Sequence, residues 1–526
     1  MINTFNQLFQ YLEKEEIKFD KNEFLFQIQS HPDFPSLLSI SDTLSFLKVE
    51  NTAIRLSKEQ LDLLPNRFVV LLLEHLSSPT LYFLEKNDAL TYWINKNKKK
   101  ILITRTELEQ RWADIVLLIE KPNSQNTLVS KKNNSVLFLI CFTLLFFVAF
   151  LYFFKVSLID SLFFGFPMIG ILFTTAALKE LFGTKSEMLN AFCNITVSTS
   201  CVTVVGSNKW KIFNFLNFSD LSMLFFTFQF VGLFVSLLSN TSAFFFQIQK
   251  TLLFYSIPVV LLSLYFQKFV EKKWCPICLV IIAVLSLELI YLIRFSSLKF
   301  VFSINSVALF SLIFLLVCLV WFPLKQLLTK YKQLKETELK ANRFLRNYES
   351  FKNNLLVSNK IDFPSIPLVL GDKDSKLVIT IITSPFCGHC KKMHEVVNTV
   401  LEKHQKNIQI QLIIKVSIEN QNEEEKLFFR SLMSIYFDKG EVFFKEALHN
   451  WFENKNLKKW LNYYKLEISN AAKIDSIYHK HNDWFIANNF TYTPALFING
   501  YEYPKIYDRE NLEFFISDLI EYNFLK

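Results

Sequence analysis

The chain has 526 residues, 51% of them hydrophobic, with 58 phenylalanines and a formal net charge of +9. Only nine are glycines, and neither a Walker nor a dinucleotide-binding signature occurs. The charge comes from scattered lysines rather than a basic block interleaved with aromatics, so no nucleic-acid partner is expected.

Residues 1–20 are polar and hold no apolar stretch of signal-peptide length, so no cleavable signal is expected. Residues 1–134 read as a soluble domain. Helical patterns at 2–16, 22–29 and 37–47 alternate with strand-like runs at 67–74, 80–85 and 114–120. This order, with Pro32-Asp33-Phe34-Pro35 before a helix and residues 89–93 leading to 106–112, resembles the papain-like peptidase domain of bacteriocin exporters. That family uses a cysteine near the chain start as its nucleophile. Here the first cysteine is Cys141, inside an apolar run, so the domain has no thiol for that chemistry. The resemblance then implies at most a domain that binds a peptide ligand. His31 and His75 read as surface or packing residues.

Six apolar runs follow, at 136–154, 158–178, 221–238, 252–269, 276–293 and 300–322. Each is near the ~20 residues that cross a ~30 Å hydrocarbon layer. Only Lys155-Val156-Ser157 separates the first two, so they are expected to form a tight hairpin. The membrane domain is thus 135–323. Residues 324–358 are a Lys-rich, helix-favouring connector, and 359–526 form a second soluble domain.

Six of the eight cysteines fall into three close pairs: Cys193/Cys201, Cys275/Cys278 and Cys387/Cys390. Such pairs can pass electrons by thiolate attack on the next disulfide. Counting crossings puts all three on one membrane face, because two spans separate each pair from the next. Oxidising compartments favour disulfide chemistry, which points to the exterior or periplasm. The positive-inside rule points the other way, since ten lysines, Lys209, Lys272 and Lys325 among them, flank the spans on the thiol side. The chemistry is the stronger guide, because three thiol pairs have little use in a reducing cytosol.

Cys193-Asn194, then Cys201-Val202, then Gly206-Ser207-Asn208-Lys209, followed by two spans and Trp274-Cys275-Pro276-Ile277-Cys278, resembles the vitamin K epoxide reductase family over about 158–323. The resemblance implies a four-helix bundle that passes electrons to a quinone (ubiquinone or menaquinone), often fused to a thioredoxin-like domain. It also implies that Cys275/Cys278 is the quinone-proximal pair and Cys193/Cys201 the shuttle, with Ser207 matching a Ser/Thr common in the family.

The residues agree independently of the name. A Cys-x-x-Cys at a helix start lies in the positive end of the helix dipole, which favours thiolate, and Pro276 suits the first helical position. Disulfide staples and a zinc site are the alternatives. Zinc needs four compactly placed ligands, whereas Cys278 and Cys387 lie over a hundred residues apart and one pair abuts lipid; no metal is expected. Cys141 and Cys318 stand alone inside apolar runs and read as small hydrophobes.

In the last domain an apolar strand at 377–382 leads through Thr383-Ser384-Pro385-Phe386 to Cys387-Gly388-His389-Cys390 at a helix start. Thr491-Tyr492-Thr493-Pro494-Ala495-Leu496-Phe497 looks like the cis-proline strand of thioredoxin folds, and the segment resembles thioredoxin-like thiol oxidoreductases over nearly all of 359–526. A helical insertion is expected at 427–478. By the resemblance Cys387 is the exposed nucleophile and Cys390 the buried resolving thiol. Pro494 leaves the Thr493 backbone free to pair with an incoming peptide. His389 beside the thiolate favours the reduced form, making the disulfide more oxidising.

The expected fold is multidomain: an α-helical membrane bundle, with a four-helix core and extra spans, between an α+β papain-like domain and an α/β thioredoxin-fold domain. The expected function is a membrane thiol:quinone oxidoreductase that reoxidises its own thioredoxin-like domain. Its partners are proteins with reduced cysteines, and its place a bacterial inner membrane with the thiol pairs facing the periplasm. Two alternatives stay open: a reductase or isomerase running in reverse, or a non-enzymatic accessory protein for peptide export with the cysteines as staples.

Overall fold

Apolar residues at helical spacing build the first layer of the N-terminal region. Phe5, Leu8, Phe9 and Leu12 on helix α1 (Ile2–Lys14) are all buried. The computed structural model describes residues 2–73, 79–88, 90–96, 99–121, 135–181, 193, 217–295, 303–465, 468 and 470–522. Helices α2 (Lys21–Gln29) and α3 (Leu37–Phe46) follow α1. A six-stranded antiparallel sheet has the order β1-β6-β2-β3-β4-β5. Its strands are β1 (Asn51–Arg55), β2 (Arg67–Leu72), β3 (Thr80–Lys86), β4 (Thr91–Lys96), β5 (Lys99–Thr104) and β6 (Trp112–Ile119). Phe68, Val70, Leu72, Leu84, Tyr92 and Trp112 share its core. The sequence predicts only β2, β3 and β6. The β4–β5 hairpin escaped because its lysine-rich stretch, from Lys96 to Lys100, hides the alternation that marks a strand.

Of the six apolar runs, five coincide with helices long and apolar enough to cross a membrane: Leu158–Lys179, Phe218–Leu238, Ser242–Val270, Pro276–Phe295 and Ile304–Leu345. The first run forms α5 (Ser135–Phe153), a further apolar helix of 19 residues. The next is divided into α6 (Leu158–Phe163) and α7 (Gly165–Leu181). Helices α8 (Phe218–Leu238), α9 (Ser242–Tyr265) and α10 (Pro276–Phe295) complete a bundle in which α7 packs on α8 and α10, and α9 on both α8 and α10. Gly170 on α7 lets the Phe226 ring of α8 approach so closely that a Cβ there would overlap it. Leu261, Ile290, Leu319 and Val320 are exposed, as suits side chains facing lipid. Helix α11 (Ile304–Leu345) runs unbroken through Pro323.

Among the described residues, two buried carboxylates lie inside this apolar region. Glu288 on α10 is fully buried, and the side-chain amides of Gln229 and Gln249 both donate to its Oε1. Asp220, also fully buried, caps the first turn of α8 by accepting from the Asn217 N–H at 2.8 Å and pairs with Lys325 of α11. Lys325 is one of the lysines that set the charge rule against the thiol chemistry; it answers a buried carboxylate.

The chain divides into two compact units, Met1–Leu25 with Ile40–Glu338, and Phe26–Ser39 with Leu339–Lys526. Arginines explain why a piece of the N-terminal region joins the second unit. Arg343 donates to the Gln29 carbonyl at 2.6 Å and lies 5.1 Å from the Phe34 ring, and Arg346 donates to Gln27 at 2.8 Å.

The second unit holds a five-stranded sheet in the order β11-β10-β8-β9-β7. Its strands are β7 (Leu368–Gly371), β8 (Val378–Thr383), β9 (Gln409–Ile414), β10 (Ala495–Ile498) and β11 (Tyr501–Glu502). Only β8 and β9 pair in parallel, as a strand–helix–strand connection requires. Helix α12 (Tyr348–Leu355) buries Phe351 and Leu355 in this core, with Phe351 stacked on Phe515 at 3.9 Å. Helix α13 (Cys390–His404) connects β8 to β9. Four helices stand between β9 and β10: α14 (Glu423–Lys439), α15 (Glu441–Asn454), α16 (Leu457–Tyr463) and α17 (Ala471–Ala487).

Candidate functional site

In the membrane bundle, Cys275 immediately precedes α10 and Cys278 lies in its first turn. Both are free thiols; Cys275 is fully buried and Cys278 partly exposed. The Cys278 N–H donates to Cys275 Sγ at 3.3 Å, because helix geometry aims the unsatisfied first-turn donors back at the residue that opens the helix. The Cys275 N–H donates to Gln267 Oε1 at 2.9 Å, and Gln267 in turn donates to Ser263 Oγ at 3.3 Å. Gln267, itself fully buried, fixes the entry to α10 and was not legible as a site residue.

Cys193 is buried and held in a disulfide. It shares one apolar cluster with Cys275, Phe226 and Ile277, so two of the three cysteine pairs are joined there by at least one member. Cys201, Ser207 and His75, and the side chain of Cys141, lie outside the described residues. Cys278 borders a small compartment of about 80 Å³ whose polar lining is Asn217, Ser219, Ser222 and Ser263. Phe218, Ser222, Val259, Val260 and Leu285 line this compartment and also an apolar groove of about 920 Å³. Cys318 lines the groove, in keeping with its reading as a small hydrophobe.

The second thiol pair sits where β8 ends and α13 begins. The Trp451 indole donates to the Pro385 carbonyl at 2.7 Å and packs on Phe386, which pins the loop. Cys387 is partly exposed and Cys390 fully buried. Cys387 Sγ lies 3.4 Å from the Thr493 carbonyl, and the Thr493–Pro494 peptide is cis. The Ser384 N–H donates to Cys390 Sγ at 3.4 Å.

The two sulfurs are set apart electrostatically. Burial pushes Cys387 up, but the Thr493 side chain, Cys390 and the N–H groups of His389 and Cys390 together hold it below the usual thiol value. Burial pushes Cys390 up, opposed by the Ser384 N–H and the Thr383 hydroxyl. A depressed and a raised thiol in one pair is the arrangement of an attacking and a resolving sulfur. The His389 side chain is exposed, and the group it brings to Cys387 is its backbone N–H. Alkylation of Cys387 by iodoacetamide is expected to rise with a pH midpoint below the ordinary thiol value of about 8.5. A midpoint at or above that value contradicts this assignment.

The arrangement is that of a thiol–disulfide oxidoreductase associated with a membrane, acting on proteins that carry cysteines. The comparisons give the particular families. Residues 161–293 match the model of the Vitamin K epoxide reductase family, and residues 366–518 match a Thioredoxin model. The chain therefore carries a domain of each. No curated protein matches it.

Solved structures similar to the chain include oxidised BdbD from Bacillus subtilis, at 15% identity and a TM-score of 0.26, covering 32% of this chain and 98% of that one. The thiol-disulfide exchange protein α-DsbA2 from Wolbachia pipientis is 16% identical with a TM-score of 0.24, covering 34% and 96%. A periplasmic thioredoxin-like protein from Salmonella enterica serovar Typhimurium is 13% identical with a TM-score of 0.25, covering 34% and 99%.

Proposed function

We propose that the chain is a thiol:quinone oxidoreductase that forms disulfides in exported proteins. Substrate dithiols reduce Cys387–Cys390, that pair reduces Cys193–Cys201, and the shuttle reduces Cys275–Cys278. In each exchange one dithiol is oxidised as one disulfide is reduced, so electrons and protons balance pair by pair. The observation that carries the reading is the placement of Cys193 and Cys275 in one buried cluster, with Cys278 on the neighbouring compartment. Cys275 then meets the shuttle, and Cys278 faces the acceptor.

The lining of that compartment fits a lipid-soluble acceptor. Asn217, Ser219, Ser222 and Ser263 suit the polar ring of a quinone beside Cys278, and the apolar groove suits its hydrocarbon tail. Ubiquinone or menaquinone bound there supplies a two-electron, two-proton acceptor. Ser207 is assigned to the same site by its resemblance alone.

Counting the apolar runs supports one common face for the thiol pairs, and their chemistry favours the periplasmic face of a bacterial inner membrane. The N-terminal sheet, with no cysteine before Cys141, is assigned a peptide-binding rather than a peptidase role.

Cys201→Ala tests the relay order. It leaves Cys193 without its resolving partner, so a Cys193–Cys275 disulfide is expected to accumulate to most of the protein in non-reducing peptide maps. A folded variant in which Cys275 is found paired only with Cys278 contradicts the order.

A further inference from the structure

Cys390 is the sulfur that the exchange most needs to protonate and deprotonate, yet it is sealed from solvent. The Ser384 N–H donates to that sulfur at 3.4 Å, which brings the preceding residue, Thr383 at the end of β8, beside it, and the Thr383 hydroxyl opposes the upward push of burial on the thiol. The same Oγ1 lies 3.0 Å from His394 Nε2, one turn further along α13. His394 is buried, its ring 4.7 Å from that of Phe452. It also lines a pocket of about 20 Å³, which is room for about one water. The charged and titratable groups around that pocket are Lys391 and Glu395 from its own helix, and Lys445, His449 and Glu453 from α15. Lys391 and Glu453 are paired at 2.9 Å.

We propose that Thr383 and His394 form the proton path between the buried Cys390 sulfur and solvent. In the resting arrangement the Cys390 S–H faces Thr383 Oγ1, whose own proton is donated to His394 Nε2, while His394 carries its proton on Nδ1. When Cys390 attacks, its proton passes to Thr383 Oγ1 as the Thr383 proton passes to Nε2. The Nδ1 proton then leaves to water in the pocket. The result is a Cys390 thiolate, an intact threonine, a neutral histidine of the other tautomer and one proton in solvent. Run backwards, the same path delivers a proton to Cys390 when it departs as the leaving group. Burial pulls His394 down to about 3, so the imidazole rests neutral, as a two-ended carrier must.

The path rests on Cys387 and Cys390 being the exchanging pair, and one experiment separates failure of the two ideas. Full-length protein in detergent, with every other cysteine changed to Ala, is reduced and mixed with an aromatic disulfide whose released thiolate absorbs. The first burst reports attack by Cys387, and the second reports resolution by Cys390. His394→Gln keeps a hydrogen-bonding side chain beside Thr383 but cannot carry a proton through. It should leave the first burst within about twofold, slow the second by about tenfold or more, and move the second burst's pH midpoint upward. Thr383→Val should do the same, and Thr383→Ser should recover the second burst. A second burst of parental rate and midpoint in both His394→Gln and Thr383→Val overturns the path, as does slowing with no change of midpoint. Absence of the first burst in the parent overturns the exchange reading instead.

Discussion

Cys278→Ala is expected to reduce electron transfer from dithiol-reduced protein to quinone to the uncatalysed background. Cys275 is sealed in the cluster with Cys193, whereas Cys278 lines the compartment and is partly exposed. Without Cys278, Cys275 can close a disulfide only with Cys193, and no thiol is left facing the acceptor, so electrons cannot pass on to the quinone. The thioredoxin-like domain keeps Cys387, Cys390 and Pro494, so its exchange with small dithiols should continue. The measurement is quinone absorbance in detergent, parent against variant. Sustained quinone reduction by Cys278→Ala means that another centre delivers the electrons.

Cys390→Ala should have an equally large effect at the other end. Cys387 is partly exposed and its thiol is lowered, so it still attacks existing disulfides, those of oxidised substrate proteins included. With the resolving sulfur gone, the mixed disulfide with a substrate protein persists. Most of the protein should therefore run as higher-mass adducts on non-reducing gels and collapse to one band on reduction. Only free thiol at Cys387 rules out the exchange mechanism. The paired change Cys387→Ala should trap nothing, because Cys390 is fully buried.

Local patterns were the part of this protein legible in its sequence. Cys275-Pro276-Ile277-Cys278 and Cys387-Gly388-His389-Cys390 carry their chemistry within four residues, and the apolar runs announce helices by length and composition alone. What escaped depends on packing between distant segments. Gln267 meets the Cys275 backbone only because α9 ends beside the start of α10. Glu288 stood as a lone acid in an apolar run, a readable signal, but its partners Gln229 and Gln249 come from two other helices. Likewise Lys325, one of the ten lysines counted toward orientation, has a buried partner in Asp220 that lies 105 residues away in sequence. Thr383 and His394 flank the thiol motif in sequence, yet only the turn from β8 into α13 brings them within hydrogen-bonding distance.

The central claim is a fixed order of oxidation. Fully reduced protein in lipid vesicles, kept without oxygen, is mixed with quinone, sampled over time and alkylated, and the redox state of each pair is read by mass spectrometry. Cys275/Cys278 should oxidise first, Cys193/Cys201 next and Cys387/Cys390 last, with no oxidation when quinone is left out. Oxidation of Cys387/Cys390 in protein whose Cys275 and Cys278 have both been changed to Ala would contradict the relay.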